Sequence, residues 1–294
     1  MSLSTPCGFL VIDKPAGLTS HGCVARVRRA YGLRRVGHGG TLDPAVTGVL
    51  PIALGPATRL LPYLSGDKTY RGVIQLGLRT SSDDLEGVPL QRQPVPPLDP
   101  AALEAALAMF RGAIQQVPPQ VSAVHVNGER AYVRARRGEA SAIEARPVRI
   151  EQLDLLAWDP ELGQLEVSVR CSAGTYIRAL ARDLGERLGC GGCLARLQRT
   201  AALGFALHQA IGLDALEGPL PPLIDPLVPL AGLPQRLLGL QDHVGWRCGR
   251  PLEAAEPIAA GVVAVLDPEG RLAGIALAGD DGRLQPKLVF DAAG

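Results

Sequence analysis

Eight residues, GHGGTLDP from Gly37 to Pro44, constrain this chain more than any other stretch. Three glycines, a histidine and an aspartate share one short segment, and Pro44 biases Asp43 toward an extended backbone. The segment reads as a loop. Without Cβ atoms, Gly37, Gly39 and Gly40 let another molecule's backbone come close, while His38 and Asp43 supply a flat polar ring and a carboxylate. An aspartate held there is a candidate nucleophile or base; the competing reading is a tight turn in which Asp43 bonds its own backbone.

The elements around the loop follow from periodicity and punctuation. GFLVID at 8–13 reads as a strand entering a turn at Lys14-Pro15-Ala16-Gly17. Thr19 or Ser20 can then cap a helix with Val24, Val27 and Tyr31 on one face, stopped by Gly32. After an apolar run at 49–54 and a helical or irregular stretch at 55–64, YRGVIQLG at 70–77 alternates as a strand. A polar turn follows from Arg79 to Asp84. Asp99-Pro100 opens a short helix that Gly112 stops. Asn127-Gly128 predicts a hairpin between strands at 121–126 and 131–136. Strands are expected near 148–156 and 165–171, and 174–188 has helical spacing with Arg178 in its first turn. A cation gains nothing from the dipole at a helix N-terminus, so Arg178 needs another partner, such as an active-site carboxylate. Six prolines between 218 and 234 mark a linker or wrapping segment. Short strands near 262–266, 272–277 and 284–290 then predict a small β domain.

Charge is where composition matters. The net charge is only +1, yet residues 21–80 hold nine Arg or Lys against two Asp, and 130–149 hold six Arg against two Glu. Two basic regions in a near-neutral chain suggest a polyanion lying across one face. Arg130, Arg134, Arg136 and Arg137 load the 121–136 hairpin with positive charge, where they could grip an RNA backbone.

Other chemistries find no support. There is no P-loop, HExxH, GxSxG or dinucleotide GxGxxG motif, and the lone CGGC at 190–193 lacks a second ligand pair. We expect no metal and no organic cofactor. No apolar run reaches the roughly 18 residues needed to cross a bilayer, and the N-terminus lacks the pattern of a signal peptide. Six scattered cysteines fit a reducing compartment, so the expected location is cytoplasmic.

Four motifs together carry a resemblance. GFLVIDKPAGLTS at 8–20, GHGGTLDPAVTGVLPIALG at 37–55, DKTYRGVIQLG at 67–77 and CSAGTYIRALARDLGERLG at 171–189 resemble the motifs of the bacterial TruB family of tRNA pseudouridine synthases. VPPQVSAVHVNGERAYVRARRGE at 117–139 is similar to that family's RNA-contacting insertion. The tail resembles, more loosely, a PUA-type RNA-binding domain. The resemblance implies an α+β pseudouridine-synthase fold with a central, mainly antiparallel mixed sheet, plus a small C-terminal β domain. It places the catalytic domain at 1–232, including the insertion at about 117–150, and the PUA-like domain at 233–294.

The implied reaction isomerises uridine 55 in the T loop of tRNA to pseudouridine. The C1′–N1 bond is cleaved, the uracil turns, and it rejoins through C5, without redox change. Asp43 matches the essential carboxylate, Arg178 the arginine that pairs with it, and Tyr70 the tyrosine that stacks on the uracil and helps move a proton from C5. Leu197 matches a leucine against the base, and His38 the histidine that fills the space left by the flipped nucleotide. Asp84 matches an aspartate that helps position the substrate, Lys14 is expected to shape the site, and Gly39, Gly40 and Thr41 are expected as substrate-facing loop positions. The resemblance also implies a stand-alone monomer acting on the tRNA T stem-loop, with no guide RNA, obligatory protein partner or membrane. Two other readings remain open on sequence: an RNA-binding or refolding protein with a vestigial site, and a synthase acting on ribosomal RNA.

Overall fold

The computed structural model describes residues 6–253 and 259–290; residues 1–5, read above with the N-terminal segment, and the last four of the tail lie outside them. Seven strands form the main path of a nine-stranded sheet: β1 (Gly8–Lys14), β2 (Thr47–Leu54), β3 (Lys68–Leu76), β4 (Gly112–Gln116), β5 (Arg146–Asp159), β6 (Gln164–Cys171) and β7 (Gly192–Ala202), with Val36–His38 and Phe205–Ala206 paired to β2 and β7. Their spatial order is β1-β2-β7-β3-β6-β5-β4. Neighbours run antiparallel except β7 and β2, which pair in parallel through Gln198–Thr47 and Arg199–Gly48. That pairing needs close approach. A Cβ at Gly48 would lie 2.2 Å from the Arg199 carbonyl oxygen, and Gly48 itself has φ +99°. Only glycine fits there.

Helices cover the sheet. α1 (Ser20–Ala30) is capped by the Thr19 hydroxyl, which accepts from the Gly22 amide, and packs Cys23, Val24 and Val27 on β1 and β2. α2 (Pro100–Ala108) is capped by Asp99, and α4 (Ile177–Arg187) buries Ile177, Leu180, Ala181 and Leu184. α2 and α4 share one core with Ile74, Leu153, Leu165 and Val167 of the sheet. The proline-rich stretch wraps rather than dangles. Ile224 exchanges backbone hydrogen bonds with Phe9, and Ile211 bonds with Val11 and Asp13, so the free edge of β1 is covered.

Three expectations need correction. Residues 131–136 form a short helix, α3 (Ala131–Arg136), so the hairpin has only two residues a side, His125–Val126 and Glu129–Arg130. Its turn is as expected, with φ 52° at Asn127 and 83° at Gly128. α2 ends at Ala108, and Gly112 instead opens β4. The start of the glycine loop is itself a short strand, Val36–His38, paired with β2.

The C-terminal strands Gln235–Leu237, Leu252–Glu253, Gly261–Leu266, Leu272–Ala278 and Arg283–Val289 form a second sheet, with helix α5 (Leu240–Arg247) beside it. Trp246, Val263, Val265 and Leu284 give it a core of its own. Ile275 and Leu288 pack instead with Phe9, Leu60 and Leu203 of the larger unit.

Candidate active site

The loop after Val36–His38 is pinned from below. Ser20, the first residue of α1, accepts from the Leu42 amide at 2.9 Å and donates to the Leu42 carbonyl at 3.2 Å. Lys14, wholly buried, donates from Nζ to the carbonyls of Pro15, Leu18 and Pro44 at 2.8, 2.6 and 3.0 Å. Burial pushes its pKa down, but all three donors are used. The residues on either side of Asp43 are thus fixed while its carboxylate stays about half exposed.

Arg178 meets that carboxylate. It projects from the first turn of α4, is nearly buried, and its Nη2 lies 3.0 Å from Asp43 Oδ2. The same guanidinium donates to the Ser82 and Val121 carbonyls, each at 2.9 Å, and its Nη1 lies 3.6 Å from Asp84 Oδ2. Asp84 is oriented in turn by the Ser82 hydroxyl and the Glu86 amide. One cation therefore gathers the glycine loop, the turn after Arg79 and the segment entering the insertion. The partner expected for Arg178 from its position on the helix is a carboxylate, Asp43.

Two cavities open on this pair. The larger, about 650 Å³, is lined by Asp43, Asp84, Arg178, Arg71, Glu166 and Leu197 among others. The smaller, about 210 Å³, is lined by Thr41, Asp43, Lys68, Tyr70, Ser122, Arg178 and Leu197 among others. Asp43, Val46, Arg178 and Leu197 belong to both walls. Lys68 and Tyr70 share a face of β3 by strand alternation. Burial pushes the Tyr70 phenol up to about 12, so it keeps its proton at neutral pH.

Of the residues singled out from sequence, Asp43, Tyr70, Arg178, Leu197, Asp84 and Thr41 converge here. Lys14 lies beneath the loop. Gly39 and Gly40 shape its backbone without lining either cavity, and a Cβ at Gly39 would lie 1.9 Å from Leu203. His38 also lies outside both linings, edge-on to His21 with ring centroids 5.2 Å apart. Burial lowers its pKa, and its Nδ1 has no hydrogen-bond partner among the described residues.

The four arginines of the insertion stand apart from the cavities and are engaged locally. Arg130 donates to the Ala123 carbonyl and Arg134 to the Ser141 hydroxyl. Arg137 is forked onto Glu129 and paired with Glu139. Arg136 stacks over Tyr132 at 5.4 Å.

Sequence reasoning passed over Lys68 and Arg199. Arg199 is fully buried in β7, directly opposite Tyr70 of β3, and donates to the Val49 and Gly40 carbonyls at 2.8 and 3.1 Å. The available signal was the i, i+2 spacing of Lys68 and Tyr70. Nothing local to Arg199 marks it.

Comparison with known proteins returns one consistent answer. Residues 28–177 match the family model described as TruB family pseudouridylate synthase (N terminal domain). The chain is 64% identical to the tRNA pseudouridine synthase B of Parasynechococcus marenigrum (strain WH8102), over 98% of this chain and 99% of that protein. It is 60% identical to the protein of the same name from Synechococcus sp. (strain WH7803), over 99% and 100%. Among solved structures, an H/ACA RNP bound to a substrate RNA containing 2′-deoxyuridine matches with TM-score 0.73 at 22% identity, covering 96% of this chain and 84% of that one. The last likeness establishes a shared fold.

Proposed function

The chain belongs to the TruB family of pseudouridylate synthases, and from that premise we propose that it isomerises uridine 55 in the T loop of tRNA to pseudouridine. The observation that carries this reading is the Asp43–Arg178 pair at 3.0 Å, standing between two cavities with Tyr70 on one wall. A base flipped out of its stack enters the smaller cavity, where Tyr70 and Leu197 offer flat and apolar surface. Its ribose C1′ then faces Asp43.

Asp43 supplies the carboxylate the reaction needs, either by attacking C1′ as N1 departs or by removing the 2′ proton. The uracil turns and C5 bonds to C1′ as the Asp43–C1′ bond breaks or, on the second route, as the 2′ proton is returned; the C5 proton is then lost and N1 takes one up. Atoms and charge balance without a cofactor. In this reading Tyr70 stacks on the uracil and helps move the proton from C5; burial raises its phenol to about 12, so it rests protonated. Arg178 and Asp84 keep the carboxylate aimed. Lys14 and Ser20 fix the loop that presents it, and His38 stands ready at the flank of that loop.

The same reading assigns residues 1–232 to catalysis, with the insertion at about 117–150 and its arginines on the RNA backbone, and residues 233–294 to a PUA-like RNA-binding domain. The separate core around Trp246 supports that division. It has the protein acting in the cytoplasm as a monomer, without guide RNA. Among the described residues no helix is long and apolar enough to cross a membrane.

The test is tritium release from tRNA transcript labelled at C5 of uridine, with Asp43→Asn as comparison and RNA binding measured in parallel. Wild type should release tritium, and the variant should bind equally and release none. Tight binding by wild type without release would overturn the reading.

A further inference from the structure

Two cations beside the active site have no role in the chemistry above. Lys68 is half-buried on the wall of the smaller cavity, and its ammonium makes no hydrogen bond or ion pair with any described residue. Arg199 is wholly buried behind it. Its Nε and Nη2 are held by backbone carbonyls; its Nη1 meets no acceptor of ordinary geometry among the described residues, and its side chain otherwise interacts with the Tyr70 phenol. The two cations converge on Gly40. A Cβ built there would lie 3.5 Å from Arg199 Nη1 and 3.7 Å from Lys68 Nζ, and Gly40, at φ +99°, leaves that space empty.

Folding gains little from this arrangement. Burial and the Arg199 charge both push the pKa of Lys68 down, so the native state holds an ammonium where it is least welcome. Asp43, the carboxylate on the same wall, is committed to Arg178. Ser122 Oγ, buried without a partner, lines the same cavity and offers a further donor. An unpaired ammonium on the cavity wall, a second cation behind it and an unpartnered hydroxyl on the same wall together make a seat for an anion.

We propose that Lys68, with Arg199 behind it, holds a backbone phosphodiester next to the flipped nucleotide. The inference rests on the RNA-isomerase reading. A nucleotide whose C1′ faces Asp43 carries its own phosphates toward the walls of the same small cavity, and only the Lys68 wall offers them an unpaired cation among the described residues. Lys68 is thereby a substrate-positioning residue, and Arg199 acts through it.

The experiment uses full-length protein and T stem-loop RNAs in which each phosphate flanking the target uridine is replaced singly by an uncharged methylphosphonate. Wild type should lose about tenfold or more in affinity on one of these RNAs, as expected for a lost charge-assisted hydrogen bond. Lys68→Gln should lose as much on unmodified RNA, lose nothing more on that methylphosphonate, and show a salt slope reduced by about one. Lys68→Arg should restore the sensitivity. Equal losses by wild type and Lys68→Gln on every methylphosphonate would overturn the proposal. A wild-type scan with no sensitive flanking phosphate would do so without any variant. Tritium release from the unmodified RNA separates the two readings: sensitivity without release overturns the isomerase reading alone, and release without sensitivity overturns the phosphate seat alone.

Discussion

Arg178 reaches Asp43 with Nη2 at 3.0 Å while the same nitrogen holds the Val121 carbonyl at 2.9 Å, so the half-exposed carboxylate and the segment entering the insertion share one buried guanidinium. The two partners are unequal. Water can replace Arg178 at the half-exposed Asp43, whereas its bond to the Ser82 carbonyl is buried.

Asp43→Asn should therefore cost little stability, within about 1 kcal/mol, and abolish turnover. Arg178→Met should lower stability by about 2–3 kcal/mol through the lost charged hydrogen bonds and also reduce kcat. Urea unfolding and single-turnover kinetics on both variants check the asymmetry; equal destabilisation would contradict it.

Gly185 of α4 lies against the Gly191–Gly192 turn, where a Cβ would meet backbone atoms at 2.1–2.5 Å. Gly185→Ala should destabilise by about 1–3 kcal/mol, although alanine is the better helix former. Because α4 carries Arg178, kcat should fall with stability. A variant of unchanged urea midpoint would show that the contact yields more easily than its geometry implies.

Tyr70 titrates at about 12 in the folded protein against an ordinary 10.0. A raised folded value contributes stability that is complete below the unfolded value and is lost as pH rises through the folded one. Wild type should therefore lose up to about 3 kcal/mol between pH 10 and 12 that Tyr70→Phe does not lose. The Cys193 thiol, pushed to about 11, contributes equally in the two proteins. Urea midpoints across this window test it, and parallel curves would refute it.

In the insertion, Arg137 is neutralised by Glu129 and Glu139. Changing both glutamates to glutamine should tighten RNA binding and steepen its salt dependence, because a guanidinium is freed for phosphate. Replacing Arg134, Arg136 and Arg137 together should raise KM more than it lowers kcat. Filter binding across a salt series and steady-state kinetics give both answers; weaker binding by the glutamine variant would mean that the ion pairs shape the RNA-contacting surface.

Much of this was legible in the residues. The capped helix after Thr19, the strand at Gly8–Lys14, the α4 helix and its ill-placed arginine all follow from local rules, and Arg178 does meet a carboxylate. β7 was not legible, although it lies inside the main sheet. Arg196, Leu197 and Gln198 line the larger cavity rather than a dry core, so the apolar run that marks a buried strand is broken. Arg199 is hidden for a related reason: its burial is decided by Gly48 and Gly40, far away in sequence. At α3 a correct turn was extended too far, since the Ala131 and Tyr132 amides bond back to Val124 and Ser122 and close the chain into a helical turn.

The parallel join of β2 to β7 also sets a timetable. β1 and β2 leave the ribosome early, but the edge of β2 facing the future site waits for residues 198 and 199. At about 5–20 residues per second, that interval is on the order of ten seconds. During it the Asp43 loop exists without Arg178, Leu197 or Arg199. On the proposed reading, a nascent chain presents Asp43 to the tRNAs of its own ribosome without the residues that hold it, and gains them only when its synthesis is well advanced.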